Sequence, residues 1–321
     1  MNRIVFGTSV QGASHIRSEV ECQDSCKILK LDNDTIIMSV ADGHGSKSCP
    51  YSKTGSQIAV NVFCKTMSEH IEKYAGSSEQ LLDYLIREDE TRVARKICFE
   101  WQRRVERVHR KNNRDLPLIE SGKDAGKPDM PKVYAQYGTT LLGLVLANDI
   151  LFAFQLGDGD IIFTSSNRVE PVIKGDKILG VETHSLSKTD AWKKAITVVR
   201  RMDVEDGPYM FLMSSDGFSN SYKNEDEFNK TCSEYLDMIN QYGVKAVNDN
   251  LKSWLSETSA MGCGDDITVL IAYFCPSAQN TSMIEDIKPA LASDCDLCNE
   301  SEKNAEYSSE YENGGEIVSD E

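Results

Sequence analysis

The residues of this sequence best suited to chemistry are aspartates that stand at the ends of apolar runs. Asp42-Gly43-His44-Gly45 directly follows the run 35–41, which is typical of a buried strand. Glycines let backbone carbonyls approach a ligand closely, and a carboxylate is a hard oxygen ligand for Mg2+ or Mn2+. Because Asp-Gly is also an ordinary turn signal, the tetrapeptide alone predicts little.

Four further acidic segments have comparable positions at the ends of predicted strands. They are Gln23-Asp24, Gly157-Asp158-Gly159-Asp160, Ser214-Ser215-Asp216-Gly217 and Gly264-Asp265-Asp266-Ile267-Thr268. Carboxylates gathered in one place repel one another, so such a cluster needs a cation to hold it. Two divalent ions about 4 Å apart suit phosphoryl hydrolysis. The sequence therefore predicts a divalent metal site assembled from strand ends.

The hydrophobic pattern predicts groups of strands that alternate with pairs of helices. Strands are predicted at 3–10, 26–31, 35–41, 139–147, 150–155, 160–165, 169–174, 196–202, 209–213 and 267–274, and helices at 51–73, 79–110, 225–242 and 244–258. Short polar breaks such as Asn148-Asp149 indicate antiparallel pairing. We therefore predict an α+β fold, a four-layer αββα sandwich in which two antiparallel sheets are flanked by helical pairs.

Charge divides the chain into two parts. The 321 residues carry a net charge of -16, and -10 of it lies in residues 276–321, which contain twelve acidic and two basic residues. We predict a catalytic domain over 1–275 and an acidic, disordered tail over 276–321. The weak charge of the remainder argues against nucleic-acid binding, which favours a basic surface.

Neither export nor membrane insertion is predicted. The N-terminus has no apolar stretch long enough for a secretory signal. The longest apolar stretch, 141–154, is interrupted by Asn148-Asp149 and is too short to span a membrane. We expect a cytoplasmic protein whose ten cysteines are reduced.

Taken together, these segments resemble the metal-dependent, type 2C serine/threonine protein phosphatases in their bacterial form. The matching pieces occur in the family's order between about residues 4 and 274: Gly12-Ala13-Ser14-His15, Gln23-Asp24, Val40-Ala41-Asp42-Gly43-His44-Gly45, Tyr137-Gly138-Thr139-Thr140-Leu141, Leu156-Gly157-Asp158-Gly159, Met213-Ser214-Ser215-Asp216-Gly217 and Asp265-Asp266-Ile267-Thr268-Val269. The family's fold, two central antiparallel sheets flanked by helices, agrees with the predicted sandwich. The resemblance implies hydrolysis of phosphoserine and phosphothreonine in proteins by direct attack of a metal-bridging water, without a covalent phosphoenzyme.

The resemblance also implies a set of metal ligands. Asp42 would bridge two ions, Mg2+ or Mn2+, and the Gly43 carbonyl would help to hold the second. Asp216 and Asp265 would hold the first ion. Asp158, together with Asp216, would bind a third and weaker ion.

Further residues would act on water, the leaving group and phosphate. Asp24 would orient a metal-bound water, and His44 would donate a proton to the leaving Ser or Thr oxygen, a task that suits imidazole near neutral pH. The family's phosphate-holding arginine usually stands five residues before the first aspartate, where this chain has Glu19. Arg17 is the preferred substitute because a guanidinium grips phosphate in a fork; His15 is the alternative.

Other departures from the family pattern leave an alternative open. Gln23 replaces the usual Glu, Asp266 replaces the usual Asn, and Gly159-Asp160 replaces a Ser-Arg pair. These changes motivate the alternative of a catalytically silent, phosphatase-like binding or regulatory module, whereas the intact metal ligands favour an enzyme. A different metallohydrolase such as a nuclease is disfavoured by the weak basic character of the folded part, because nucleic-acid affinity depends on cationic neutralisation of phosphates.

The implied partners are phosphorylated proteins, and the enzyme would oppose a serine/threonine kinase. We expect a monomer that binds neither nucleic acid nor membrane. Residues 175–195 fall where the family carries a variable flap beside the active site, and we predict that they contribute to substrate choice.

Overall fold

The computed structural model describes residues 2–31, 34–74, 77–88, 92–174, 184–202 and 207–275. The strands are β1 Asn2–Val10, β2 Ser25–Lys30, β3 Thr35–Ala41, β4 Leu141–Ala147, β5 Ile150–Leu156, β6 Asp160–Ser165, β7 Val169–Pro171, β8 Ile196–Arg201, β9 Tyr209–Ser214 and β10 Ile267–Cys275. The helices are α1 Ala13–Arg17, α2 Ser52–Lys73, α3 Ser78–Glu88, α4 Ala94–Lys111, α5 Met130–Ala135, α6 Asp216–Ser219, α7 Glu225–Tyr242 and α8 Val244–Met261.

These strands form two five-stranded antiparallel sheets. One has the order β1-β10-β9-β6-β7 and the other has the order β2-β3-β4-β5-β8. The predicted hairpin joins β4 to β5: Ala147 pairs with Ile150 across the turn. Asn148 in that turn adopts a left-handed conformation with φ 52°, which asparagine tolerates better than most residues.

Four layers follow from the burial of both faces of each sheet. In β3, Ile36, Met38 and Val40 pack in the core between the two sheets. Ile37 and Ala41 point the other way, into the core that the sheet shares with α2 and α4. On the far side, α7 and α8 pack against the β1-β10-β9 sheet. Successive strand residues point to opposite faces, so a strand covered on both sides must be apolar throughout. The predicted α+β sandwich, αββα, is confirmed.

The predicted helix 79–110 corresponds to the helices α3 and α4, and residues 89–91 between them lie outside the described residues. Trp101 of α4 is fully buried, and its indole N–H donates to the carbonyl of Gly55 at 2.9 Å.

Several short elements were not predicted. The helix α5 begins in the stretch 112–132, where no helix or strand is predicted, and the Asp129 side chain caps it by accepting from the Lys132 N–H. The short helices α1 and α6 were likewise missed, and β7 ends at Pro171 rather than at residue 174. The predicted tail 276–321 and residues 175–183 of the predicted flap lie outside the described residues.

No helix in the described ranges combines the length and the apolar character that crossing a membrane requires. The apolar stretch 141–154 lies in the β4-β5 hairpin.

Candidate metal and active site

Strand pairing brings the acidic segments to one end of the sandwich. In one sheet, Ser25 at the start of β2 pairs with Ala41 at the end of β3, so the residues next to them, Asp24 and Asp42, leave the sheet together. In the other sheet, Ser214 at the end of β9 pairs with the first residue of β6 and with a residue near the start of β10. All five predicted acidic segments therefore follow or precede strands at the same end of the sandwich.

Asp24 joins the two sheets at this end. Its buried carboxylate accepts hydrogen bonds at Oδ2 from Ser215 Oγ and from Thr268 Oγ1, both at 2.7 Å. The other oxygen, Oδ1, is buried and has no hydrogen-bond partner in the protein. Burial raises the pKa of Asp24 to about 7, although the two hydroxyl hydrogen bonds lower it. An unpaired buried carboxylate oxygen is costly, and it therefore indicates a water or a cation at this position.

The backbone of Asp42 is fixed by two threonines of the facing segment. Its N–H donates to Thr140 Oγ1 at 3.0 Å. Its carbonyl accepts from the Thr140 N–H and from Thr139 Oγ1, each at 2.8 Å. The Asp42 side chain is thereby held toward the acidic cluster. Burial raises its pKa well above the ordinary value, and the charges of Asp24 and Asp216 raise it further.

Asp216 completes the cluster from the other sheet. Burial raises its pKa to about 6, and the next largest cause is the charge of Asp158. The charge of Asp265 raises the pKa as well. The Gly157-Asp158 loop packs against Thr140, which hydrogen-bonds to the backbone of Asp42. A Cβ at Gly157, whose φ is 117°, would come within 2.6 Å of the Thr140 methyl group.

These shifts share one cause, the gathering of carboxylates from distant parts of the chain in a buried place. Neutralisation by divalent cations would remove both the repulsion and the burial penalty, because a bound cation is the largest local charge in such a site. Carboxylates, a backbone carbonyl and water are the oxygen ligands that Mg2+ and Mn2+ prefer. The donor set and the unpaired Asp24 oxygen therefore fit divalent metal ions.

His44 is positioned by the strand segment opposite its loop. Gly43 forms a β-bridge with Thr139, and the His44 N–H donates to the carbonyl of Gly138 at 3.1 Å. A Cβ on Gly138 would lie 2.6 Å from His44 Cδ2, so only glycine leaves room for the imidazole ring. The ring is half-buried, beside the loop 42–45 and open to solvent.

Gln23, which replaces a family glutamate, packs against the same loop. The side-chain oxygen of Gln23 lies where a Cβ of Gly45 would stand, and Gly45 has a left-handed φ of 60°. The Gln23 carbonyl is similarly close to Gly43, where a Cβ would be 2.9 Å away. Gln23 therefore supports the loop that carries His44.

Asp266 organises the loops that approach the site. Its buried carboxylate accepts the N–H of Gly12 at 2.6 Å and the N–H of Gln23 at 2.7 Å. His15 on α1 lies against it, with Nδ1 2.9 Å from Asp266 Oδ1 and Nε2 3.8 Å from Asp265 Oδ1. His15, Asp265 and Asp266 are close enough together to share a metal ion.

The two predicted phosphate ligands have different surroundings. His15 contacts the acidic cluster, whereas Arg17, the last residue of α1, is exposed. The backbone of α1 is bound to the loop before β10, because the Ser14 N–H donates to the carbonyl of Gly264 at 2.8 Å.

Four hydroxyl residues that hold the aspartates in place have no role in the sequence prediction. They are Thr139, Thr140, Ser215 and Thr268. Each lies inside a motif quoted above, next to a predicted ligand or one loop away from it. Position within the motif was therefore the available signal, but the aspartate that each hydroxyl contacts depends on the tertiary fold.

A family model described as protein phosphatase 2C matches residues 11–256. A search of curated proteins finds no significant match.

Solved structures share the fold at low sequence identity. The Mycobacterium tuberculosis serine/threonine phosphatase PstP/Ppp is 12% identical with a TM-score of 0.50, over 85% of this chain and 98% of that one. The catalytic domain of PstP in complex with two manganese ions is 13% identical with a TM-score of 0.50, over 84% and 97%. The S. agalactiae serine/threonine phosphatase is 13% identical with a TM-score of 0.50, over 85% of this chain and 100% of that one.

Proposed function

Since the chain belongs to the protein phosphatase 2C family, whose model matches residues 11–256, we propose that it hydrolyses phosphoserine and phosphothreonine at the acidic cluster. Family membership confirms the resemblance found in the motifs and the predicted enzyme class, a protein serine/threonine phosphatase. The residues that perform the reaction, the number of ions and the direct attack of water are the proposal.

In this proposal the acidic cluster holds two divalent ions, Mg2+ or Mn2+. Asp42 contributes to both, the Gly43 carbonyl to one, and Asp216 and Asp265 to the other. Asp158 shares a third, weaker ion with Asp216, which the influence of the Asp158 charge on the pKa of Asp216 supports. When bound, such ions lower the pKa of water and neutralise the oxygens of a phosphoryl group.

The chain's own residues then orient the water and move the proton. Asp24 offers its unpaired Oδ1 as the acceptor that directs a water toward phosphorus. His44, held over Gly138 beside the loop, donates a proton to the leaving Ser or Thr oxygen. Arg17 is the proposed phosphate ligand, and His15, whose Nδ1 lies 2.9 Å from Asp266, is the alternative.

The observation that carries the proposal is Asp24. A carboxylate that is anchored through one oxygen by Ser215 and Thr268 and left unpaired at the other is built to hold something outside the protein chain. The proposed substrates are phosphorylated proteins, in opposition to a serine/threonine kinase. The proposal keeps the expectation of a cytoplasmic monomer.

The test is phosphate release from a phosphothreonine peptide, with and without Mn2+, by the wild type and by Asp216→Asn. Release should require the metal and should collapse in the variant, by about a hundredfold or more. Asp237→Asn, the same change at an exposed position on α7, should leave release unchanged. A folded wild type that releases no phosphate with either Mg2+ or Mn2+ would contradict the proposal.

A further inference from the structure

The contacts of His15 indicate a role other than phosphate binding. His15 is half-buried and faces the acidic cluster, whereas the next two residues of α1, Ile16 and Arg17, are exposed. The Nδ1 atom of His15 lies 2.9 Å from Asp266 Oδ1, and its Nε2 atom lies 3.8 Å from Asp265 Oδ1. Each ring nitrogen therefore faces a carboxylate oxygen.

Neither of these two contacts is a hydrogen bond. The Nε2 distance of 3.8 Å exceeds the normal limit of about 3.2 Å for a nitrogen donor. The Nδ1 atom is buried and has no hydrogen-bond partner among the described residues, although its distance to Asp266 would allow one. A neutral imidazole has only one N–H, so at least one ring nitrogen faces its carboxylate with a lone pair. A cation shared by the two donors would remove that repulsion.

The spacing of these donors fits one divalent ion. Ligand atoms that each lie about 2.1 Å from an ion are about 2.8–4.2 Å apart, depending on the angle between them. Both contacts of the His15 ring fall in this range. One ligand atom from each of His15, Asp265 and Asp266 lies within 4.8 Å of the other two.

Asp24 provides a separate indication of a cation at this place. Its Oδ1 atom is buried and unpaired. Burial first, and then the charges of Asp266 and Asp265, raise the pKa of Asp24, so its carboxylate lies close to the same group. The residue before it is bound to that group as well, because the Gln23 N–H donates to Asp266 Oδ2 at 2.7 Å.

The backbone of α1 holds the His15 ring beside Asp265. The Ala13 N–H donates to Ser259 Oγ at 3.0 Å, and Ser259 Oγ donates to the carbonyl of Asp265 at 2.8 Å. One serine of α8 therefore connects the first residue of α1 to a proposed metal ligand. A ligand whose backbone is fixed in this way needs little rearrangement to bind an ion.

We propose that His15 is a nitrogen ligand of a divalent ion that Asp265 also binds. The inference rests on the proposed function, because it adds a ligand to an ion of the proposed site. It leaves Arg17 as the phosphate ligand. Imidazole suits transition-metal ions, whereas Mg2+ favours sites made of oxygen ligands. His15 would therefore shift the preference of the site away from Mg2+, toward Mn2+ and more strongly toward Co2+.

The first test observes the ligand itself, without substrate or turnover. One equivalent of Mn2+ is added to the full chain, and the electron spin-echo envelope modulation of the ion is recorded. A ligating imidazole gives 14N modulation, which 15N modulation replaces in protein labelled with 15N-histidine. We expect 14N modulation in the unlabelled wild type, its replacement on labelling, and its loss in His15→Gln.

Two other histidine variants provide the comparison. His184→Gln changes an exposed histidine, and His44→Gln removes the imidazole beside the loop 42–45; both should keep the 14N modulation. Bound Mn2+ without 14N modulation in the wild type would overturn the inference. A modulation that disappears in His44→Gln and persists in His15→Gln would overturn it as well, and so would a wild type that binds no Mn2+.

The second test measures the preference between metal ions. In His15→Gln an amide oxygen replaces the ring nitrogen. Calorimetric titration of the metal-free protein should show Co2+ binding weakened by about tenfold or more and Mg2+ binding changed much less. An equal change for both ions would mean that His15 acts only as a charge beside the carboxylates, and it would overturn the inference.

These experiments also separate the inference from the proposed function. A wild type that shows the nitrogen ligand but releases no phosphate from a phosphothreonine peptide with Mn2+ would contradict the proposed function alone. A wild type that releases phosphate and binds Mn2+ without 14N modulation would contradict the inference alone.

Discussion

Thr268 donates a hydrogen bond from Oγ1 to Asp24 Oδ2 at 2.7 Å, across 244 residues of sequence. Thr268 belongs to β10 in one sheet, and Asp24 directly precedes β2 in the other. The bond therefore joins the two sheets at the acidic end of the sandwich, and it directs the unpaired Oδ1 of Asp24 away from the protein's own donors.

Removing this donor should weaken metal binding more than it weakens the fold. In Thr268→Val the side chain keeps its shape but loses the hydroxyl, so Asp24 is less well oriented and its charged form is less stable. We expect the Mn2+ concentration for half-maximal activity to rise by about tenfold or more. The loss of folding stability should be about 1–2 kcal/mol.

A metal titration of phosphatase activity and thermal unfolding in EDTA give these two quantities. Thr231→Val is the matched control, because Thr231 on α7 donates to the carbonyl of Glu227 in its own helix. An unchanged metal requirement in Thr268→Val would show that Asp24 needs no orientation by this hydroxyl.

The acidic cluster should make the metal-free protein less stable as pH rises. The pKa of Asp216 is raised to about 6 and that of Asp24 to about 7, and the pKa of Asp42 is raised as well, in each case first by burial. Between the ordinary carboxyl pKa and these raised values, the folded state binds more protons than the unfolded state. Stability should therefore fall from about pH 4 to about pH 7.

Thermal unfolding across this range in EDTA measures the effect, and parallel scans in saturating Mn2+ provide the comparison. Bound cations replace the protons in neutralising the carboxylates, so the metal should flatten the pH dependence and should stabilise the protein most near pH 7. A metal-free protein that gains stability over this range would mean that the carboxylates are not forced together.

Substitution of Gly138 should impair the protonation of the leaving group by His44. An added methyl in Gly138→Ala would displace the His44 ring, because the Cβ would lie 2.6 Å from Cδ2. Serine and threonine are poor leaving groups that need a proton, whereas p-nitrophenolate leaves without one. We expect kcat to fall by about a hundredfold for a phosphothreonine peptide, which is the usual contribution of general acid catalysis, and to fall much less for p-nitrophenyl phosphate.

The ratio of kcat values for the two substrates is the measurement. Gly207→Ala is the control, since a Cβ at Gly207 meets nothing within 4 Å. An equal fall on both substrates in Gly138→Ala would point to damage to the metal loop rather than to the position of His44.

How far the sequence predicts this architecture depends on how local the relevant interactions are. The ends of β3, β9 and β10 follow from short apolar runs, so the loops that carry Asp42, Asp216 and Asp265 were predicted with their aspartates.

Contacts between distant residues could not be predicted in the same way. Which hydroxyl would meet Asp24 depends on how two sheets stack, and the contact between His15 and Asp266 depends on how α1 packs against the loop before β10. The replacement of a family asparagine by Asp266 was visible in the sequence as a departure. Only the fold shows that its carboxylate accepts two backbone N–H groups.

The adjacent residues Asp265 and Asp266 should therefore have different roles. Asp266 is buried and accepts from Gly12 and Gln23 through its two oxygens. In Asp266→Asn one of these N–H groups would face an amide nitrogen, and an unsatisfied buried donor costs about 1–3 kcal/mol. The side chain of Asp265 is half exposed, so Asp265→Asn should leave the stability of the metal-free protein nearly unchanged but should strongly raise the Mn2+ concentration that activity requires, because a metal ligand is weakened.

Urea unfolding in EDTA and a Mn2+ titration of activity, performed on both variants, test this division. The free energy of unfolding should fall in Asp266→Asn alone, whereas the metal requirement should rise most in Asp265→Asn. Asp237→Asn, on the exposed surface of α7, controls for the loss of one negative charge. If both variants lost stability equally, Asp265 would be part of the same structural network, and its assignment as a metal ligand would lose support.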